Sequence, residues 1–167
     1  MIPQRDESAA ISPDGRHVVT GHEDGVLRIW RVENPAQMTD VPIGGMQGGV
    51  AFSPDGKYIA ATGANLYLLD AASGKILNTM RGHKMGVHSV AFSPDGRRII
   101  TGGGSSHESV KIWDVATAQE LMTLSTPEGN YSIRHVEFSS DGTSIYAAGG
   151  RNTLNAWNLP RDVTSAR

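Results

Sequence analysis

The stretch Val87-His-Ser-Val-Ala-Phe-Ser-Pro-Asp-Gly-Arg-Arg-Ile-Ile-Thr-Gly102 holds two apolar runs either side of Ser93-Pro-Asp-Gly96. Proline presets φ at the second turn position, Ser and Asp can bond nearby backbone, and Gly closes the turn. With β-favouring residues on both flanks, the segment reads as strand–turn–strand. The chain repeats it: Ile11-Ser-Pro-Asp-Gly15, Phe52-Ser-Pro-Asp-Gly56, Phe92-Ser-Pro-Asp-Gly96 and Phe138-Ser-Ser-Asp-Gly142. Asp14, Asp55, Asp95 and Asp141 are 41, 40 and 46 residues apart, so each unit takes about a quarter of the 167 residues. Read as acidic ligands, these four would form a site. Read as turn residues, they recur because the turn recurs, and the turn reading is preferred.

Each unit runs on to a third apolar stretch that ends in a bulky residue: Leu27-Arg-Ile-Trp30, Leu66-Tyr-Leu-Leu69, Val110-Lys-Ile-Trp113 and Leu154-Asn-Ala-Trp157. The bulky residue follows the turn glycine by 15, 13, 17 and 15 positions. These distances differ by twos, and strand side chains alternate with period 2, so the same face receives it each time. Six residues later a fourth stretch begins: Ala36-Gln-Met-Thr39, Lys75-Ile-Leu-Asn-Thr-Met80, Gln119-Glu-Leu-Met-Thr-Leu124 and a weak Val163-Thr-Ser-Ala-Arg167. Four strands per unit describe a propeller blade. The expected fold is all-β: about four four-stranded antiparallel blades in one domain, residues 1–167, with blades near 5–42, 46–80, 85–124 and 131–167.

Composition narrows the function classes. Hydrophobic residues at 38% argue against wholesale disorder. A net charge of −2 with no basic run argues against nucleic acid and anionic membranes as partners. The absence of cysteine removes disulfides, thiolate nucleophiles and Cys-ligated zinc. No apolar run approaches the roughly 18 residues of a membrane span, and the polar start lacks the look of a signal peptide. A soluble, cytoplasmic chain is expected.

The third unit resembles a WD40 repeat, through Gly82-His83, Val87 to Gly96, Ile100-Thr-Gly102 and Val110-Lys-Ile-Trp-Asp114. The resemblance implies a hydrogen-bonded His–Ser/Thr–Asp–Trp set within a blade. The third unit supplies His83, Thr101 and Trp113, with His107 where the Asp belongs. The first supplies Thr20, Asp24 and Trp30, with Ile2 at the His position, and Ala61 and Ala147 replace the hydroxyl in the other two. Phe52, Phe92, Phe138, Trp30, Trp113 and Trp157, packed between blades, are therefore expected to contribute more than these networks. Rings of the family usually close with about seven blades, roughly 280 residues. Four blades imply part of a larger or open propeller, half of a dimeric ring, or a small closed ring. Open blade faces could then associate with one another.

No His group matches a metal-ligand spacing, and Gly102-Gly-Gly-Ser-Ser-His-Glu108 lacks the Gly-x-Ser-x-Gly order of a nucleophile elbow. The glycines of Ile43-Gly-Gly-Met-Gln-Gly-Gly49 fit no phosphate-binding pattern and read as a connector. Catalytic residues, metals and cofactors are not expected. Arg16, Lys57, Arg97 and Arg98 follow the turn glycines and read as solvated strand-end charges. By resemblance the chain is a protein–protein interaction scaffold. Its expected contact loops hold His22, Glu23, Lys84, Met85, Ser105, Ser106, His107, Glu108, Arg151 and Asn152. An enzyme or small-ligand propeller using a central channel, or a purely structural part of a multidomain protein, are the alternatives.

Overall fold

The structure, a computed structural model, describes residues 8–45, 48–84, 86–104, 110–126, 132–150 and 153–159. Four antiparallel meanders follow one another along the chain. The first holds β1 (Ser8–Ile11), β2 (His17–Gly21), β3 (Val26–Arg31) and β4 (Asn34–Pro42). The second holds β5 (Val50–Phe52), β6 (Tyr58–Thr62), β7 (Leu66–Asp70) and β8 (Ile76–Met80). The third holds β9 (Val87–Phe92), β10 (Arg98–Gly103), β11 (Val110–Asp114) and β12 (Glu120–Leu124). In the fourth, β13 (Ile133–Phe138), β14 (Ser144–Gly149) and β15 (Thr153–Asn158) are described, and the expected last strand, 163–167, lies outside the described residues.

The four turns between first and second strands are built alike. In each, a serine hydroxyl donates to the Asp Oδ1: Ser12 to Asp14 at 2.6 Å, Ser53 to Asp55 at 2.7 Å, Ser93 to Asp95 and Ser139 to Asp141 at 2.6 Å. The same serine oxygens accept the N–H groups of His17, Tyr58, Arg98 and Ser144. The turn glycines have φ between 70° and 72°, in the left-handed region open to glycine.

First strands of successive sheets touch, β1 with β5, β5 with β9 and β9 with β13, while the fourth strands are largely exposed. The sheets therefore fan outward from a shared inner edge. Between them lie three core layers. Val19, Leu27 and Ile29 of the first sheet meet Ile59, Ala61 and Leu69 of the second. Ala60, Leu66 and Leu68 meet Val90, Ile99 and Trp113. Ile100, Val110 and Ile112 meet Val136, Phe138 and Ile145. Each sheet thus has a leading face toward the sheet before it and a trailing face toward the sheet after it, set by the two-residue strand period. The row is unclosed: the leading face of the first sheet and the trailing face of the fourth have no partner sheet among the described residues.

The aromatic positions are unequal. Trp113 and Phe138 are buried, while Phe52 and Phe92 are partly buried against their layers. Trp30 and Trp157 are only half-buried. Trp30 stands on the open leading face, paired across β2 and β4 with Val18 and Met38, so it packs between no two described sheets.

Candidate interaction rim

Loops between second and third strands and connectors between sheets share one end of the fan, and their backbones are tied together. The Ile43 and Gly44 N–H groups both donate to the Gly25 carbonyl, at 3.0 and 3.1 Å. The Val87 N–H donates to Gly63 and the Gly150 N–H to Ser132, each at 3.1 Å. Glycine allows this closeness: a Cβ at Gly63 would stand 2.7 Å from the Gly45 carbonyl oxygen. The rim is thereby a braced strip and not a set of independent loops.

On it, Glu23 and Lys84 are exposed. His22 is half-buried, and its Nε2 lies 2.8 Å from the Thr20 hydroxyl oxygen, which also accepts the Trp30 indole N–H at 2.7 Å. In the third sheet His83 Nε2 lies 2.7 Å from Thr101 Oγ1, which accepts the Trp113 N–H at 2.8 Å. The first sheet therefore rebuilds the His–Thr–Trp node with a histidine from its own second-to-third-strand loop. Sequence matching, which looked for that histidine at Ile2, assigned His22 only to a contact loop. The usable signal is spacing: His22 stands two residues beyond Thr20, just past the end of β2, within reach of the Thr20 hydroxyl. Asp24 accepts the Arg28 guanidinium at 2.6 Å and the Val26 N–H at 3.0 Å, and these bonds, Arg28 first, hold its carboxyl below the usual range. Met85, Ser105, Ser106, His107, Glu108, Arg151 and Asn152 lie outside the described residues.

The opposite end carries the serine–aspartate turns. Hydrogen bonds from Ser139, the Thr143 N–H and the Thr143 hydroxyl bring Asp141 down to about 2. Asp14 and Asp55 are lowered by their serines and by the N–H of Arg16 and Lys57. Burial raises Asp95, but bonds from Ser93 and the Arg97 N–H outweigh it. Arg98, expected as a solvated strand-end charge, is buried, because it leads β10 on the face covered by the fourth sheet. Lys111 is buried too, with its Nζ 3.0 Å from both Glu120 carboxylate oxygens. Among the described residues no three His, Asp or Glu side chains gather as a metal site, and no helix is long and apolar enough to cross a membrane.

Comparison with known proteins agrees with this geometry. The family described as "WD domain, G-beta repeat" (WD40) matches residues 7–31 and 74–114. "Centriole proteome protein 16" of Chlamydomonas reinhardtii is 36% identical over 95% of this chain, which spans 7% of that protein. "Meiotic recombination protein rec14" of Schizosaccharomyces pombe (strain 972 / ATCC 24843) is 30% identical over 68% of the chain, which spans 38% of it. "WD repeat-containing protein 90" of Mus musculus is 32% identical over 65% of the chain, which spans 6% of it. The fold is similar to that in "Structure of U3-55K", with a TM-score of 0.77 at 23% identity, covering 95% of this chain and 50% of that one. With four like meanders, shared core layers and the His–Thr–Trp nodes, these matches make the chain a member of the WD40 repeat family.

Proposed function

We propose that this chain is a non-catalytic platform that holds protein partners on the braced rim. The WD40 repeats support an interaction-scaffold type. The observation that carries the finer reading is the bonding of each described rim loop to its neighbouring connector, Gly25 to Ile43 and Gly44, Gly63 to Val87, and Gly150 to Ser132. A rim fixed before encounter loses less conformational freedom on binding. Exposed Glu23 and Lys84 supply charges of both signs there, and the third unit's sequence between its second and third strands, two residues longer than in the first and fourth, contains Ser105 and Ser106.

Charge reversal tests it. A Glu23→Lys, Lys84→Glu variant is expected to lose proteins captured by the unsubstituted chain while keeping the far-UV spectrum of the fold. A Lys57→Glu variant on the opposite end should keep them. Equal capture by all three chains, or loss only with Lys57→Glu, would remove the rim from the interaction. Deleting Ser105 and Ser106 probes the longer loop in the same assay, where unchanged partners and affinity exclude it.

A further inference from the structure

The two open faces are complementary, and we propose that the trailing face of the fourth sheet binds the leading face of the first sheet in a second copy of the chain, so that two rows close one ring. Inside the chain a trailing face meets a leading face three times, at matched positions. Leu27, Leu66 and Val110 share one trailing position and are fully buried, whereas Leu154, which holds it in the fourth sheet, is 72% exposed. Phe52, Phe92 and Phe138 share one leading position, and Ile11, which holds it in the first sheet, is 62% exposed. The turns show the same vacancy. A Cβ at Gly56, Gly96 or Gly142 would stand 3.5 Å from the proline of the preceding turn, but at Gly15 it meets nothing within 4 Å.

Side-chain size selects a copy of this chain over an ordinary blade. Along the inner edge, trailing positions held by Ala10, Ala51 and Ala91, and by Val19, Ala60 and Ile100, become Glu137 and Tyr146 in the fourth sheet. Both are larger. Leading positions held by Val50, Val90 and Val136, by the three phenylalanines, and by Ile59, Ile99 and Ile145 become Ala9, Ile11 and Val18 in the first sheet. All three are smaller. One end face gains volume at the edge where the other loses it, whereas an ordinary Val, Phe and Ile face would overpack against Glu137 and Tyr146. The polar contact also has its counterpart. Ser8 and Ser89 Oγ accept the N–H of Val50 and Val136 on the next sheet, at 2.9 and 3.1 Å. His135 stands at the serine position of the fourth sheet, where a ring-nitrogen lone pair of its imidazole can accept the Ala9 N–H of the second copy, while its Nε2 lies 3.8 Å from Glu137 Oε2. Each copy offers one face of each kind, so the contact is heterologous and closes once both pairs are made.

Light scattering on the purified chain over a dilution series reads the outcome. The expected mass is twice the 17.8 kDa of one chain. Ile11→Arg and Leu154→Arg change side chains exposed in a single copy, so each should keep the far-UV spectrum and halve the mass. An equal mixture of the two variants retains one matched pair of faces and should regain a weaker dimer. The chain has no cysteine, so Ala9→Cys with His135→Cys adds a readout free of charge reversal: oxidation should give a band of two chains. A one-chain mass at every concentration, a dimer indifferent to Leu154→Arg, or a ladder of three or more linked chains would overturn the proposal.

Discussion

Thr101 is the residue on which the third sheet's interior polarity turns. Its single hydroxyl oxygen serves both the His83 ring and the Trp113 indole, beside a tryptophan that is 2% exposed. Thr101→Val keeps the shape but takes away the acceptor of the buried Trp113 N–H and the His83 Nε2 contact, which should destabilise the fold by about 1–3 kcal/mol in urea unfolding, with Thr101→Ser recovering most of it. Trp113→Ala removes the layer's largest side chain and should cost about 3–5 kcal/mol by the same measurement. A second residue-scale effect is acid lability. The folded-state pKa of Asp141 lies at about 2, below its ordinary 3.8. A depressed carboxyl contributes stability that is complete above the unfolded value and lost as pH falls through the folded one. The urea midpoint should therefore drop between about pH 5 and pH 2, and less steeply in Asp141→Asn. The turn aspartates follow from the repeat, whereas the His83–Thr101–Trp113 set follows only from the resemblance to WD40 blades. The His22 contact follows from neither, because alignment transfers a role to a fixed position while the Thr20 hydroxyl needs only a ring nitrogen within reach.

Among the elements, strands buried on both faces were the most legible, and the outermost strands the least. β6, β7, β10 and β11 carry apolar runs bounded by turn residues, which is what burial between two sheets requires. β4 is exposed over most of its nine residues and includes Pro35 and Pro42, so no alternation marks it, and it extends well beyond the expected 36–39. Its prolines are tolerated because it lies at the edge of its sheet. The third-to-fourth strand pairings also slip at the bulky residue, between Trp30 and Arg31, Leu68 and Leu69, and Ile112 and Trp113. The slip leaves Leu77 and Leu121 unpaired and exposed, apolar residues that a strict period would have sent inward. Packing between elements is tight enough to test by addition. At Gly102 a Cβ would lie 2.5 Å from Ile133 Cγ2 and 2.9 Å from Val136 Cγ1. Gly102→Ala should wedge the third and fourth sheets apart and destabilise by about 1–3 kcal/mol, read as a lowered denaturant midpoint.

At the scale of the whole molecule, each described sheet shares core only with its sequence neighbours, so stability is a sum over adjacent pairs. In the single chain, at concentrations too low for copies to associate, amide hydrogen exchange should be slowest in β6, β7, β10 and β11, which have a core layer on both sides, and fastest in β1 and β15 at the ends. Uniform exchange across the four sheets would mean that the row unfolds as one block. Blade number and the order of the sheets were legible from turn spacing alone. The volume exchange between Glu137 with Tyr146 and Ala9 with Val18 was not, since it joins residues that no single repeat places together.

The proline-on-glycine contacts, Pro13 on Gly56, Pro54 on Gly96 and Pro94 on Gly142, repeat one joint at every seam. A joint that is everywhere alike does not record which unit it joins. Gene duplication could therefore splice an extra quarter into the middle of such a chain, and both new junctions would find the mate they expect.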